Sequence, residues 1–129
     1  MKVQSLCRHD VMGAEPSDSL TDVASRMQYN EVSALPVFED ENLVGIITER
    51  DLVRAMADGV DPGETPVSVY MTPDPVTIDE DHDVTEAAAV MIKVGARHLP
   101  VVDGGRVIGM ISARDLLDVE AVGHPDGEP

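Results

Sequence analysis

The chain has 129 residues, with 25 Asp and Glu against 9 Lys and Arg and a formal net charge of −16. That length builds one compact domain or a pair of small ones, with an aliphatic core, because Tyr29, Tyr70 and Phe38 are the only aromatics. So acidic and aromatic-poor a chain is a poor match for nucleic acid, no apolar run is long enough to span a bilayer, and residues 1–10 lack a signal peptide's apolar stretch; a cytoplasmic protein without a membrane partner is expected.

In chain order, a brief strand is expected near Val11 to Ala14. Leu20, Val23, Ala24 and Met27, at i, i+3, i+4 and i+7, mark an amphipathic helix with a capping signal in Ser19 and Asp22. Two apolar runs, Leu35 to Phe38 and Leu43 to Thr48, flank the polar turn Glu39-Asp40-Glu41-Asn42 and read as a hairpin. A second helix runs from about Glu49 to Ala57, followed by a segment rich in Asp, Gly and Pro up to Pro66. The order then recurs: a short strand near Val76 to Ile78, a helix on Val84, Ala87, Ala88 and Met91 capped by Asp83 and Glu86, a hairpin turning at Asp103-Gly104-Gly105-Arg106, and a helix from about Ala113 to Ala121.

The recurrence is a duplication. Leu35-Pro36-Val37 returns 64 residues later as Leu99-Pro100-Val101, and at the same offset Gly45, Ile47, Arg50, Asp51 and Leu52 fall on Gly109, Ile111, Arg114, Asp115 and Leu116. The expected organisation is a first repeat over 1–57, a linker over 58–66, a second repeat over 67–122 and a flexible tail over 123–129. The fold class is α+β (α/β), each repeat ordered strand, helix, strand, strand, helix. A unit of this size is marginal alone, so the repeats are expected to pack together, and pairing about a pseudo-twofold axis would leave two equivalent clefts suited to small ligands.

The sharpest motif is Gly45-Ile46-Ile47-Thr48-Glu49-Arg50-Asp51, echoed as Gly109-Met110-Ile111-Ser112-Ala113-Arg114-Asp115. Thr48 with Asp51, and Ser112 with Asp115, fit a helix capping box that needs no ligand. The same geometry suits a nucleotide: a helix N-terminus and a hydroxyl for phosphate, and a carboxylate one turn in to accept from both hydroxyls of a ribose.

These residues, with the 64-residue duplication and the Leu-Pro-Val hairpins, resemble the cystathionine beta-synthase (CBS) domain, which occurs as tandem pairs called Bateman modules. The resemblance covers nearly the whole chain. It implies a sensor of adenosine nucleotides, such as AMP, ADP or ATP, bound in clefts between repeats, commonly in a homodimer and acting on a separate regulated protein. By position, Asp51 and Asp115 would hold ribose and Thr48 and Ser112 would contact phosphate. Met12, Gly13, Val76 and Thr77, with Met110 and Ile111 on the strand before Ser112, would hold adenine. No other cofactor is required, although Mg²⁺ accompanying ATP could neutralise phosphate. The alternatives are a ligand-free interaction and oligomerisation scaffold, and a sensor of S-adenosylmethionine or NAD.

The copies are unequal before the Leu-Pro pair, where Arg97 and His98 stand in the second and Ser33 and Ala34 in the first. A phosphate approaching so acidic a chain needs a local cation, which makes Arg97 and His98 phosphate candidates and the second repeat the stronger site. Solvent-exposed pairing of Arg97 with a carboxylate, and a strand role for His98, are the plainer readings.

Other constellations fail. Asp79, Asp81 and Asp83 open like a calcium loop, but Val84 stands where Gly is needed and Val90 where Glu is needed. No His pair or second Cys supplies a metal site, and Cys7 beside His9 is adjacency without catalytic geometry, so neither a metal nor an enzymatic activity is expected. Met12, Met27, Met56, Met71, Met91 and Met110 are expected to fill core gaps or line a cleft. The spread of acidity, with Lys2 and Lys93 the only lysines, suggests a halophilic source.

Overall fold

A computed structural model of the protein describes residues 1–9 and 11–122. The expected tail, 123–129, lies outside the described residues. In chain order the elements are α1 (Val3–Leu6), α2 (Leu20–Asn30), β1 (Ala34–Glu39), β2 (Asn42–Thr48), α3 (Glu49–Asp58), α4 (Val67–Tyr70), β3 (Thr72–Pro73), β4 (Ile78–Asp79), α5 (Val84–Val94), β5 (His98–Asp103), β6 (Arg106–Ser112) and α6 (Ala113–Val122). They form two compact units, one from Met12–Pro75 and one combining Met1–Val11 with the chain from Val76 onward.

In the unit from Met12 to Pro75, α2 begins where the Ser19 hydroxyl accepts from the Asp22 amide at 3.1 Å, and it stops where Glu31 turns left-handed at φ 54°. Its apolar stripe, Leu20, Val23 and Met27, is buried against Leu35, Val37 and Ile47. β1 and β2 form the expected hairpin, with Leu35 opposite Ile47, Val37 opposite Gly45, and a register shift between Val37 and Phe38. The three-stranded sheet has the order β1-β2-β3.

The other unit repeats this plan. Asp83 and Glu86 close a capping box on α5, Gly95 ends it at φ 73°, and Met91 and Ala87 pack on Leu99, Val101 and Ile111. The hairpin turns through Gly104 and Gly105 at φ 58° and 84°, conformations that suit glycine. Its sheet has the order β4-β5-β6, with β4 parallel to β5 and a register shift between Val101 and Val102 that mirrors the first hairpin.

Several elements differ from those expected. The strand near Val11 to Ala14 reduces to one parallel bridge from Ala14 to Val37, in which the Ala14 amide donates to the Pro36 carbonyl at 2.9 Å and the Phe38 amide donates to the Ala14 carbonyl at 2.8 Å. The later strand begins two residues on and is shorter, at Ile78–Asp79. The short helices α1 and α4 and the strand β3 were not expected, because pieces of two to four residues carry no period. The methionines also divide: Met27, Met91 and Met110 are buried, whereas Met56 is 82% exposed.

The segment leading each sequence repeat completes the sheet and core of the other copy. α4 buries Val67 and Tyr70 in the core containing Leu20 and Ile47, and β3 pairs with β2, Thr72 opposite Ile46. Equivalently, α1 buries Val3 beside Leu99 and Ile111, and Arg8 exchanges two backbone hydrogen bonds with Met110, at 2.8 and 3.0 Å. Gly45 and Gly109 make this approach possible. A Cβ at Gly45 would fall 2.5 Å from the Met71 sulfur, and one at Gly109 would fall on the Arg8 carbonyl oxygen. Residues 58–66 are anchored, since the Leu20 amide donates to the Thr65 carbonyl at 3.0 Å and the Thr21 amide to the Pro62 carbonyl at 3.2 Å.

Candidate functional site

In the unit containing the second hairpin, strand order brings the candidate residues to one end of the sheet. Ser112 ends β6, His98 opens β5 directly opposite it, and Val76 and Thr77 precede β4, which runs parallel to β5. The Ala113 amide, the first of α6, donates to the Arg97 carbonyl at 2.8 Å, so Arg97 is tied to the helix start beside Ser112. Its side chain is exposed and, among the described residues, has no carboxylate partner. The Ser112 amide donates to Asp115 Oδ2 at 2.8 Å, and the Asp115 amide donates to Ser112 Oγ at 3.1 Å. This is a capping box in which, among the described residues, the other carboxylate oxygen, Oδ1, accepts no hydrogen bond. A helix N-terminus, a hydroxyl, a half-buried carboxylate and the backbone of an exposed arginine thus share one end of the sheet, residue types that match a phosphorylated diol.

The equivalent end of the other unit has different chemistry. The Thr48 amide and hydroxyl both donate to Asp51 Oδ2, at 2.8 and 3.0 Å, and the Asp51 amide donates to Thr48 Oγ1 at 3.3 Å. Asp51 is only 4% exposed, and its Oδ1 accepts from Arg54 Nη1 at 2.6 Å. No oxygen of this carboxylate is idle. Where Arg97 and His98 stand in the second copy, this one has Ser33 and buried Ala34, and the Ser33 carbonyl accepts from the Glu49 amide at 3.0 Å. The sequence reading missed Arg54, although its i, i+3 spacing from Asp51 was visible.

The expected adenine contacts are scattered in exposure. Met12 and Val76 are 50% and 46% exposed, and Thr77 is exposed. Ile111 is wholly buried in the core, and Met110 is 7% exposed with its backbone amide and carbonyl already bonded to Arg8. Neither offers an open side chain. Gly13 borders an open cleft of about 430 Å³ lined also by Glu15, Asp18, Arg26 and Phe38, in which Arg26 is tied to Asp18 and to the Gly13 carbonyl, both at 3.0 Å.

The features set aside in the sequence have local roles. Asp79 accepts from the Asp81 amide at 3.1 Å and Asp83 caps α5, so these carboxylates shape their own turn. Among the described residues, no group of three or more His, Cys, Asp or Glu side chains could hold a metal ion. Cys7 Sγ lies 3.7 Å from His9 Nε2, but burial, with Asp115 second, pushes its thiol pKa up, away from the thiolate a nucleophile needs. Among the described residues, no helix is long and apolar enough to cross a membrane.

Comparison with known proteins agrees with this geometry. The CBS domain family model matches residues 3–58 and again 67–121. An uncharacterized protein of Methanopyrus kandleri is 35% identical over 123 residues, 93% of this chain and 63% of that protein, so the chain spans under two thirds of this relative. The solved CBS domain structure NE2398 superposes with a TM-score of 0.88 at 33% identity, covering 95% of this chain and 98% of that one. The CBS domain pair of protein MJ0100, solved in complex with 5′-methylthioadenosine and S-adenosyl-L-methionine, gives a TM-score of 0.87 at 26% identity, covering 94% and 96%. With the duplicated hairpins, the paired capping boxes and two matches to one family model, this chain belongs to the CBS domain family and carries two copies of the domain.

Proposed function

We propose that this chain is a regulatory module that binds an adenosine-containing small molecule at the second copy, with Asp115 on the ribose and Ser112 and Arg97 on phosphate. The observation that carries this reading is Arg97, whose backbone is tied to the start of α6 while its exposed side chain has no carboxylate partner among the described residues. A cap alone needs no such cation. His98 opens the same strand end, and Val76 and Thr77 are candidates for the base in this unit, as Met12 and Gly13, 64 residues earlier, are in the other. The MJ0100 pair, similar over nearly its whole length, holds adenosine-containing ligands, which supports the same ligand class here.

Binding acts through whatever the module contacts. On α3, Val53 and Met56 are 65% and 82% exposed, and in the other unit Leu117, at the position on α6 equivalent to Val53, is 68% exposed; each is apolar surface of the kind a second copy of this chain could cover. A ligand that favours one arrangement of such an assembly would change what a regulated protein meets, by no more than its differential affinity for the two states. No catalytic step is assigned.

The test is a thermal-shift screen in molar KCl with adenosine, AMP, ADP, ATP with and without Mg²⁺, S-adenosylmethionine and NAD. A ligand at 100 times its Kd stabilises by about 2.7 kcal/mol, which is readily seen. A shift with one or more adenylates that disappears in Asp115→Ala is the expected result, and no shift with any of them favours the scaffold reading.

A further inference from the structure

The two copies differ most in what surrounds the ribose-candidate carboxylate, and the difference is concentrated in three side chains of one unit. Arg54 Nη1 lies 2.6 Å from Asp51 Oδ1, and the same guanidinium sits over the Tyr70 ring, 5.6 Å from its centroid. Tyr70 is itself fixed, because its hydroxyl donates to Asp58 Oδ2 at 2.7 Å. Arg54 is thus held from both sides, by a buried carboxylate on α3 and by an aromatic face on α4. At the 64-residue offset, the second copy has Asp118 in place of Arg54, Leu6 in place of Tyr70 and Val122 in place of Asp58. The cation, the ring and the anchor are all absent there, and the residue replacing the cation is an anion.

We infer that Arg54 is a built-in occupant of the first-copy carboxylate that makes nucleoside binding unequal between the copies. This rests on the proposed adenosine-type reading. A ribose hydroxyl brings a neutral donor to the Asp51 carboxylate, whereas Arg54 brings a cationic donor at 2.6 Å, so a ligand must displace the stronger partner. Thr48 already donates twice to the other oxygen, so Asp51 has no second acceptor to give without losing a hydrogen bond. Asp115 has Asp118 rather than a cation at the equivalent place and, among the described residues, keeps Oδ1 for a ligand. The chain therefore binds one equivalent of nucleoside strongly, at the second copy, and a second equivalent at least about tenfold more weakly.

Isothermal titration with adenosine is the test, because a ligand without phosphate isolates the carboxylate from the attraction of Arg54 or Arg97 for anions. Wild type should bind one strong equivalent, and Arg54→Ala should gain a second of affinity at least about tenfold above the weak wild-type event. Loss of its partner leaves Asp51 exposed to unfolding effects in Arg54→Ala, so Asp118→Arg provides the reciprocal variant: placed on an exposed helix position, it should weaken the strong equivalent by a similar factor. Tyr70→Leu, which restores the side chain of the other copy, should give an intermediate gain. Two equal equivalents in wild type, or no change in either Arg54→Ala or Asp118→Arg, would overturn the inference while leaving nucleoside binding intact. Absence of binding by adenosine and by AMP in every variant would instead overturn the ligand reading on which it rests.

Discussion

The Ala113 amide donates to the Arg97 carbonyl at 2.8 Å, which makes the residue before β5 part of the start of α6. The bond uses the backbone of Arg97 and leaves its side chain exposed. Arg97→Ala should therefore leave folding intact and remove a phosphate contact: AMP affinity should fall roughly 10- to 100-fold while adenosine affinity is unchanged. Titration calorimetry with both ligands reads the difference, and an equal change for the two would exclude a phosphate role for Arg97.

The exchange of leading segments depends on the strand glycines. In Gly109→Ala the new methyl group meets the Arg8 carbonyl, a backbone atom, and should break the paired hydrogen bonds between Arg8 and Met110. We expect a loss of about 1–3 kcal/mol in urea unfolding. Gly45→Ala should cost less, since the nearest atom is the sulfur of the flexible Met71 side chain. Equal losses would show that side-chain adaptation at Met71 does not relieve the clash.

That exchange also marks the limit of what was legible in the sequence. The four long helices and both hairpins follow from apolar spacing and caps, which act over neighbouring residues and so appear in the sequence directly. Which copy receives α1 or α4 is decided by contacts remote in sequence, such as Val3 against Leu99, and periodicity does not carry that information. Gly45 and Gly109 were the available clue, since a glycine inside an apolar strand signals a close backbone neighbour. At the site, the inequality of Arg97 and Ser33 was readable by alignment of the repeats. The closing of Asp51 by Arg54 required the Tyr70 ring, which comes from the segment leading the other repeat.

Asp83 gives the chain an acid-sensitive contact. The Thr85 hydroxyl donates to it at 2.6 Å, the Thr85 amide at 2.9 Å and the Met1 amino group at 3.2 Å, and these hold its carboxyl down to about 2 from the ordinary 3.8. Because the folded value lies below the unfolded one, the stabilisation is complete above the unfolded pKa and is lost as pH falls from about 4 to about 2. Thr85→Val should move the Asp83 titration, followed by carboxyl NMR, back toward the ordinary value. An unmoved midpoint would remove the hydroxyl as the principal cause.

A net charge of −16 on 129 residues predicts strong self-repulsion. Screening over about 10 Å at 0.1 M salt, and less at higher salt, should raise the melting temperature steadily from low to molar KCl. Circular dichroism melts at a series of KCl concentrations check this, and a salt-independent melt would contradict a halophilic adaptation of the surface.

The most direct measurement compares AMP binding by wild type and Asp115→Asn, because this substitution separates the two roles of the side chain. The Asn carbonyl oxygen can still accept from the Ser112 amide and keep the cap, but its amide nitrogen cannot accept from a ribose hydroxyl. An unchanged melting temperature with AMP affinity reduced about tenfold or more is expected if the second copy binds a nucleotide. Undiminished AMP affinity in a well-folded Asp115→Asn protein would contradict that claim and leave Ser112 and Asp115 as a helix cap alone.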